Sequence, residues 1–181
     1  SLEEEIEKVI RKLKEVVERI NERNKRALDK LRKVVEEVKD ALRRTNEELK
    51  KVVKEVERRG AVDERVREET KREEERSEDK LREEDEKLKR VEETNRRDDK
   101  RTRDELKRVR ERLEEKKRRG GDKDDVRRLK REIEELIKRI DDKIRKLIRR
   151  HEELVREIRE ELKKHEERVK DVLRKLEKLA E

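Results

Sequence analysis

The run Lys116-Lys117-Arg118-Arg119-Gly120-Gly121-Asp122-Lys123-Asp124-Asp125 decides the fold. Four cations precede a glycine pair, and Asp122, Asp124 and Asp125 follow it. Cations suit the partial negative charge at a helix C-terminus, and a glycine just beyond takes the left-handed backbone that stops the helix. An Asp then caps the free N–H groups of the next helix, with more acid in its first turn. The run reads as helix end, glycine turn and helix start, with Asp122 as the N-cap.

The same punctuation recurs at the third glycine of the chain. Gly60 follows Arg58-Arg59 and precedes Asp63-Glu64, and no proline occurs anywhere. Ser1 and Glu4 form a capping box at the start. The 181 residues are cut into nearly equal thirds, which predicts helices over 2–59, 63–119 and 123–180. Each is about 85–90 Å long at 1.5 Å per residue. Short connections make sequential helices antiparallel. The expected fold is all-α, a single domain over 1–181 of three long, nearly straight antiparallel helices in an up-down-up bundle.

Apolar periodicity supports this division. Leu2, Ile6, Val9, Leu13, Val16 and Ile20 begin a stripe that continues through Leu31, Val35, Val38 and Leu42 to Val56. Its mean step is about 3.6 residues, and a second such stripe runs from Val126 to Ala180. A sustained step of 3.6 rather than 3.5 predicts little supercoiling. The first helix doubles its apolar positions at Val9-Ile10, Val16-Val17, Val34-Val35 and Val52-Val53; the third does so at Leu136-Ile137, Leu147-Ile148 and Leu154-Val155. The second helix carries one thin line, Val62, Val66, Leu81, Leu88, Val91, Leu106, Val109 and Leu113. A wide stripe implies a wide buried arc. The second helix is therefore expected outermost, with polar gaps at Arg67 to Lys80 and Glu92 to Glu105. Those gaps would leave an apolar strip of the other helices facing water. Pairing that strip between copies predicts a homo-oligomer, a dimer first and a trimer next, with a monomer as the alternative. Val17, Val53 and Ile148 are the expected contact positions.

Polar residues interrupt the stripes in phase. Thr45 lies between Leu42 and Leu49, Ser77 lies one turn before Leu81, and His165 lies between Leu162 and Val169. A first loop centred near residue 60 makes facing positions of the first two helices add to about 121, and sets the third off from the first by about 120. Thr45, Ser77 and His165 then share one level. A second, looser set comprises Asn24, Asn95 and His151. Buried polar groups are costly unless paired, so mutually satisfying layers that specify register or partner are expected. The two histidines are fourteen residues apart, about 21 Å along a helix, too far to share a metal.

Composition closes off other classes. Charged residues make up 65% and hydrophobic ones 27%, which in an aperiodic chain would mean disorder. Here 63 basic residues nearly balance 55 acidic ones, and the apolar residues keep their period. No Cys, Met or aromatic residue is present, which removes disulfides, thiol nucleophiles and ring stacking on bases. Basic and acidic residues number 19 and 15 in 1–60, 23 and 22 in 61–121, and 21 and 18 in 122–181, so no basic tail marks a nucleic-acid binder. No apolar run suits a membrane span or a secretory signal. Glycine-rich phosphate loops are absent because glycine occurs only at the two junctions. Charge runs such as Lys71 to Arg76 read as solvated helix faces. The sequence thus predicts no enzyme, no metal, no cofactor, no nucleic-acid or membrane partner and no small-molecule substrate. Ser1 in first place points to a removed leader or tag, and no compartment is indicated.

Equal thirds, glycine loops, a Leu/Ile/Val core, a Glu/Lys/Arg surface and in-phase Asn24, Thr45, Ser77, Asn95, His151 and His165 together resemble parametrically generated, de novo designed helical bundles with buried hydrogen-bond layers. The resemblance is one of style over the whole chain. It implies a structural scaffold or self-assembling bundle with no natural substrate or pathway. A natural spectrin-like or coiled-coil spacer is the alternative, although such domains commonly carry buried aromatics and irregular loops. An electrostatic nucleic-acid binder would need its positive charge gathered on one face.

Overall fold

A computed structural model of the chain describes residues 1–60 and 63–181, the side chain of Ala180 excepted. It is 96% helical. The elements are α1 (Leu2–Arg58), α2 (Glu64–Arg119) and α3 (Lys123–Ala180). All three helices pack together as an all-α three-helix bundle, with no strand among the described residues. Val62, expected to head the stripe of the second helix, lies outside the described residues, as does the side chain of Ala180.

The helix ends follow from local chemistry. Gly60 and Gly120 both hold φ at 68°, the left-handed region that suits glycine. The Gly60 N–H donates to the Glu57 carbonyl at 3.0 Å, closing the last turn of α1. Asp63 Oδ1 accepts the Val66 N–H at 2.9 Å, and Ser1 Oγ accepts the Glu4 N–H at 3.4 Å. The Val126 N–H donates to the Asp122 carbonyl, so the first intrahelical bond of α3 begins at that N-cap.

The chain divides into two compact units, and each takes a portion of every helix. Unit 1 holds residues 1–29 and 91–151, and unit 2 holds 30–90 and 152–181. In unit 1, Ile6, Leu13 and Ile20 of α1 pack with Leu106, Val109 and Leu113 of α2 and with Val126, Ile133 and Ile140 of α3. In unit 2, Leu49 and Val56 of α1 and Val169, Val172 and Leu176 of α3 enclose Val66 of α2. Each such aliphatic side chain contributes about 1.5–3 kcal/mol through burial.

Inward positions of α1 repeat every seven residues over much of each unit. Ile6, Leu13 and Ile20 do so in unit 1, and Val35, Leu42, Leu49 and Val56 in unit 2. The spacing then lengthens: Ile20 to Leu31 in α1 is eleven residues, Glu84 to Asn95 and Asn95 to Leu106 in α2 are eleven each, and Ile140 to His151 in α3 is eleven with Ile144 buried between them. Sevenfold stretches interrupted by four-residue phase shifts bring the mean step near 3.6 and relax the winding that unbroken heptads impose.

The apolar strip expected to face water is not found. Among the described residues no large hydrophobic side chain is exposed. Val16, Val17, Val52, Val53, Ile137 and Ile148 are half-buried flanks of the core. The gaps of α2 are filled by buried polar side chains, with Thr70, Glu73 and Ser77 in the first and Asn95 in the second.

Candidate functional site

Ion pairs fix which positions face each other. In unit 2, Lys39–Asp85 at 2.7 Å and Arg67–Glu57 at 3.7 Å join α1 to α2, and both pairs of numbers add to 124. In unit 1, Lys117–Glu7 at 2.8 Å gives the same total. The register is therefore about three residues from the one inferred from a loop centred near residue 60. The Arg23–Asp141 pair at 2.8 Å sets α3 off from α1 by 118 in unit 1.

In unit 2 this register brings Ser77 and His165 together and leaves Thr45 out. Ser77 Oγ lies 2.6 Å from His165 Nε2, and both residues are 0% exposed. The Ser77 hydroxyl is also 3.0 Å from the Glu73 carbonyl of its own helix. Thr45 is half-buried and donates to the Ala41 carbonyl at 2.8 Å, a bond within α1. Positions 45 and 46 both fit the helical spacing between Leu42 and Leu49, and the observed packing turns Asn46 inward.

Glu73 completes the cluster. It is 6% exposed, its Oε2 is 3.6 Å from His165 Nδ1, and Arg76 donates to its Oε1 at 2.8 Å. Arg168 Nε stands 3.8 Å from Oε2. The gap from Nδ1 to Oε2 is too long for a hydrogen bond, and neither atom has a hydrogen-bond partner elsewhere. The Ser77 hydroxyl has one proton: with Nε2 protonated the ring donates to Oγ while the hydroxyl donates to the Glu73 carbonyl, and with Nδ1 protonated Nε2 accepts that one proton instead. Burial first, and then the charges of Arg168, Lys80 and Arg76, push the imidazole from 6.5 down to about 4. The ring is neutral at pH 7.

Hydroxyl, imidazole and carboxylate in this order resemble an activated nucleophile with its base and orienting acid. The chemistry needs space beside the hydroxyl for a substrate carbonyl and donors for the developing oxyanion. Ser77 and His165 meet only protein in this packing. What the cluster does here is hold α2 against α3 at one level.

Other inward polar residues escape a reading by apolar stripe. Thr70 is 3% exposed and its hydroxyl donates to the Val66 carbonyl at 2.8 Å. Glu84 is 2% exposed, with Lys87 Nζ 3.7 Å from its carboxylate. Burial is the main cause that raises its pKa, partly offset by Lys87 and reinforced by Glu161. Both continue the helical phase of Val66, Leu81 and Leu88, and that phase was the signal available in the sequence.

In unit 1, Asn95 and His151 are buried at 4% and 5%, and Asn24 is half-buried. No described hydrogen bond joins the three: Asn24 Oδ1, both side-chain polar atoms of Asn95 and both ring nitrogens of His151 lack a protein partner. Burial lowers the His151 pKa. Asn24 lines a cavity of 310 Å³ with Ile20, Thr102, Asp99 and Ile144, wide enough for water to serve its amide.

Among the described residues no group of three or more His, Cys, Asp or Glu side chains converges to hold a metal ion. No helix is long and apolar enough to cross a membrane. Comparison with protein-family models, with curated proteins and with solved structures gives no match.

Proposed function

We propose that the chain is a structural scaffold of the de novo designed helical-bundle kind, in which buried polar contacts select the register of the helices. The observation that carries this reading is the Ser77–His165 contact, 2.6 Å long between α2 and α3 and wholly buried. A slip of α2 by one turn would leave both groups buried without a partner, at a cost of about 1–3 kcal/mol each. Apolar side chains repeated every seven residues tolerate such a slip far better.

Cross-linking tests the proposal. Lys80 and Glu161 face each other at 3.7 Å. Cysteines at 80 and 161 should be joined by a short bifunctional thiol reagent in the otherwise unaltered chain, and cysteines at 80 and 157 should not. In the Ser77→Ala, His165→Leu double variant the 80–157 pair should also cross-link. Strict retention of the 80–161 pairing in that variant would assign register to apolar packing and reject the polar contact as its cause.

Self-association is the second reading. It rests on the half-buried doubled positions Val16-Val17 and Val52-Val53 of α1, with Ile137 and Ile148 of α3, which a second copy could cover further. Light scattering at micromolar concentration should give twice or three times 22.5 kDa; the mass of one chain would end this reading and leave the scaffold proposal standing.

A further inference from the structure

Unit 2 joins two faces of opposite character. After Val66, the fully buried side chains that its α2 portion contributes are Thr70, Glu73, Ser77 and Glu84, all polar. Facing elements supply Val38, Leu42 and Leu49 from α1 and Ile158, Val169 and Leu176 from α3, all nearly inaccessible. Of the four polar residues, Ser77 alone has a described hydrogen bond to another helix. Thr70 returns its hydroxyl to Val66, and Oε2 of both Glu73 and Glu84 accepts none. Desolvated oxygens without donors oppose docking, and undocking relieves them. Unit 1 is built differently, because there Leu106, Val109 and Leu113 anchor α2 in the apolar cluster.

We infer that α2 over residues 64–90 is the separable element of unit 2, and that the groove it fills between α1 and α3 accepts a competing amphipathic helix with apolar side chains at the levels of Thr70, Glu73 and Glu84. The edges of the groove specify the rest of that partner. Lys39 of α1 pairs with Asp85, Glu57 with Arg67, Lys175 of α3 with Glu69, and Glu161 with Lys80. An occupant must therefore carry acid at the levels of 69 and 85 and base at those of 67 and 80. The serine at the level of Ser77 must stay, since His165 otherwise loses its partner. The occupant is thus a helix with the edge charges of α2 and an apolar inner face.

Two measurements on the full chain decide the matter. Hydrogen exchange should show amides of 64–90 exchanging together, at least tenfold faster than those of 30–58 and 152–180. A fluorescent peptide of residues 64–90 carrying Thr70→Leu, Glu73→Leu and Glu84→Leu is then titrated with the chain and followed by anisotropy. It should bind at micromolar chain concentration, at least 100-fold tighter than the unaltered peptide. A chain with the same three substitutions in its own α2 should lose that binding, because its helix then fills the groove equally well. Equal exchange from all three helices would overturn the inference. So would a leucine peptide that binds no better than the unaltered one, or one that binds the substituted chain undiminished.

Discussion

Glu84 holds a carboxylate at 2% exposure with one oxygen that accepts no hydrogen bond. Replacing a buried, poorly satisfied charge by an apolar side chain of similar size is commonly neutral or stabilising. Glu84→Leu is expected to stabilise the chain by about 1–3 kcal/mol at pH 7, read from the denaturant midpoint. Its pKa is raised in the fold, so the carboxylate penalises the folded state at neutral pH and is relieved as pH falls. The advantage of the leucine variant should therefore shrink in acid. His165 has the opposite sign. The unfolded chain takes up a proton near 6.5 and the folded chain only near 4, so stability is complete above 6.5 and drains away as pH falls from 6.5 toward 4. That shift corresponds to about 3 kcal/mol at most. His165→Leu should change stability by about 1–2 kcal/mol at pH 7, since it removes one hydrogen bond together with one unpaired nitrogen. Between pH 7 and 4.5 the parent should lose more stability than the variant, and parallel profiles would show that the ring is not buried in solution.

At the scale of the helix, the ends were written plainly in the sequence and the inner face of α2 was not. Asp63 and Ser1 cap as their types and positions predict, because capping is local. Gly120 has φ at 68°, so Gly120→Ala should cost about 1–2 kcal/mol although the position is open. Gly121→Ala should cost less, since its backbone is not left-handed and an added Cβ would meet only Lys116 Cδ at 3.7 Å. A calorimetric melt of the two variants checks the difference. Asp63→Ala should remove about 1 kcal/mol with the cap. Glu73 and Glu84, by contrast, look like every other glutamate in a chain that is 65% charged. Only phase distinguishes them, and a search for apolar residues passes over a polar side chain standing in phase. Thr45 failed for a related reason: two adjacent positions suit the gap between Leu42 and Leu49, and the choice of Asn46 depends on partners three residues out of the inferred register.

For the whole molecule, both apolar clusters are built from aliphatic side chains, so circular dichroism in plain buffer with a chelator is expected to report a nearly all-helical chain. A coil-like spectrum would mean that the apolar side chains do not suffice to order it. The three-helix architecture was legible because glycine, caps and period agree. Division into two units was less so, because a mean period conceals where the phase changes; the eleven-residue steps emerge only once inward residues are distinguished from flanks. Within unit 2, Val35, Leu42, Leu49 and Val56 of α1, Thr70, Ser77 and Glu84 of α2, and Ile158, His165 and Val172 of α3 each keep a sevenfold pattern. A block of seven residues added at matching levels of α1, α2 and α3 within unit 2 should therefore elongate it by about 10.5 Å while returning every inward side chain to its own partners. A block of any other size, or a block in one helix alone, would break that correspondence. Unit 2 can thus be lengthened only in fixed increments, and small-angle scattering on a series of such insertions would read the increment directly.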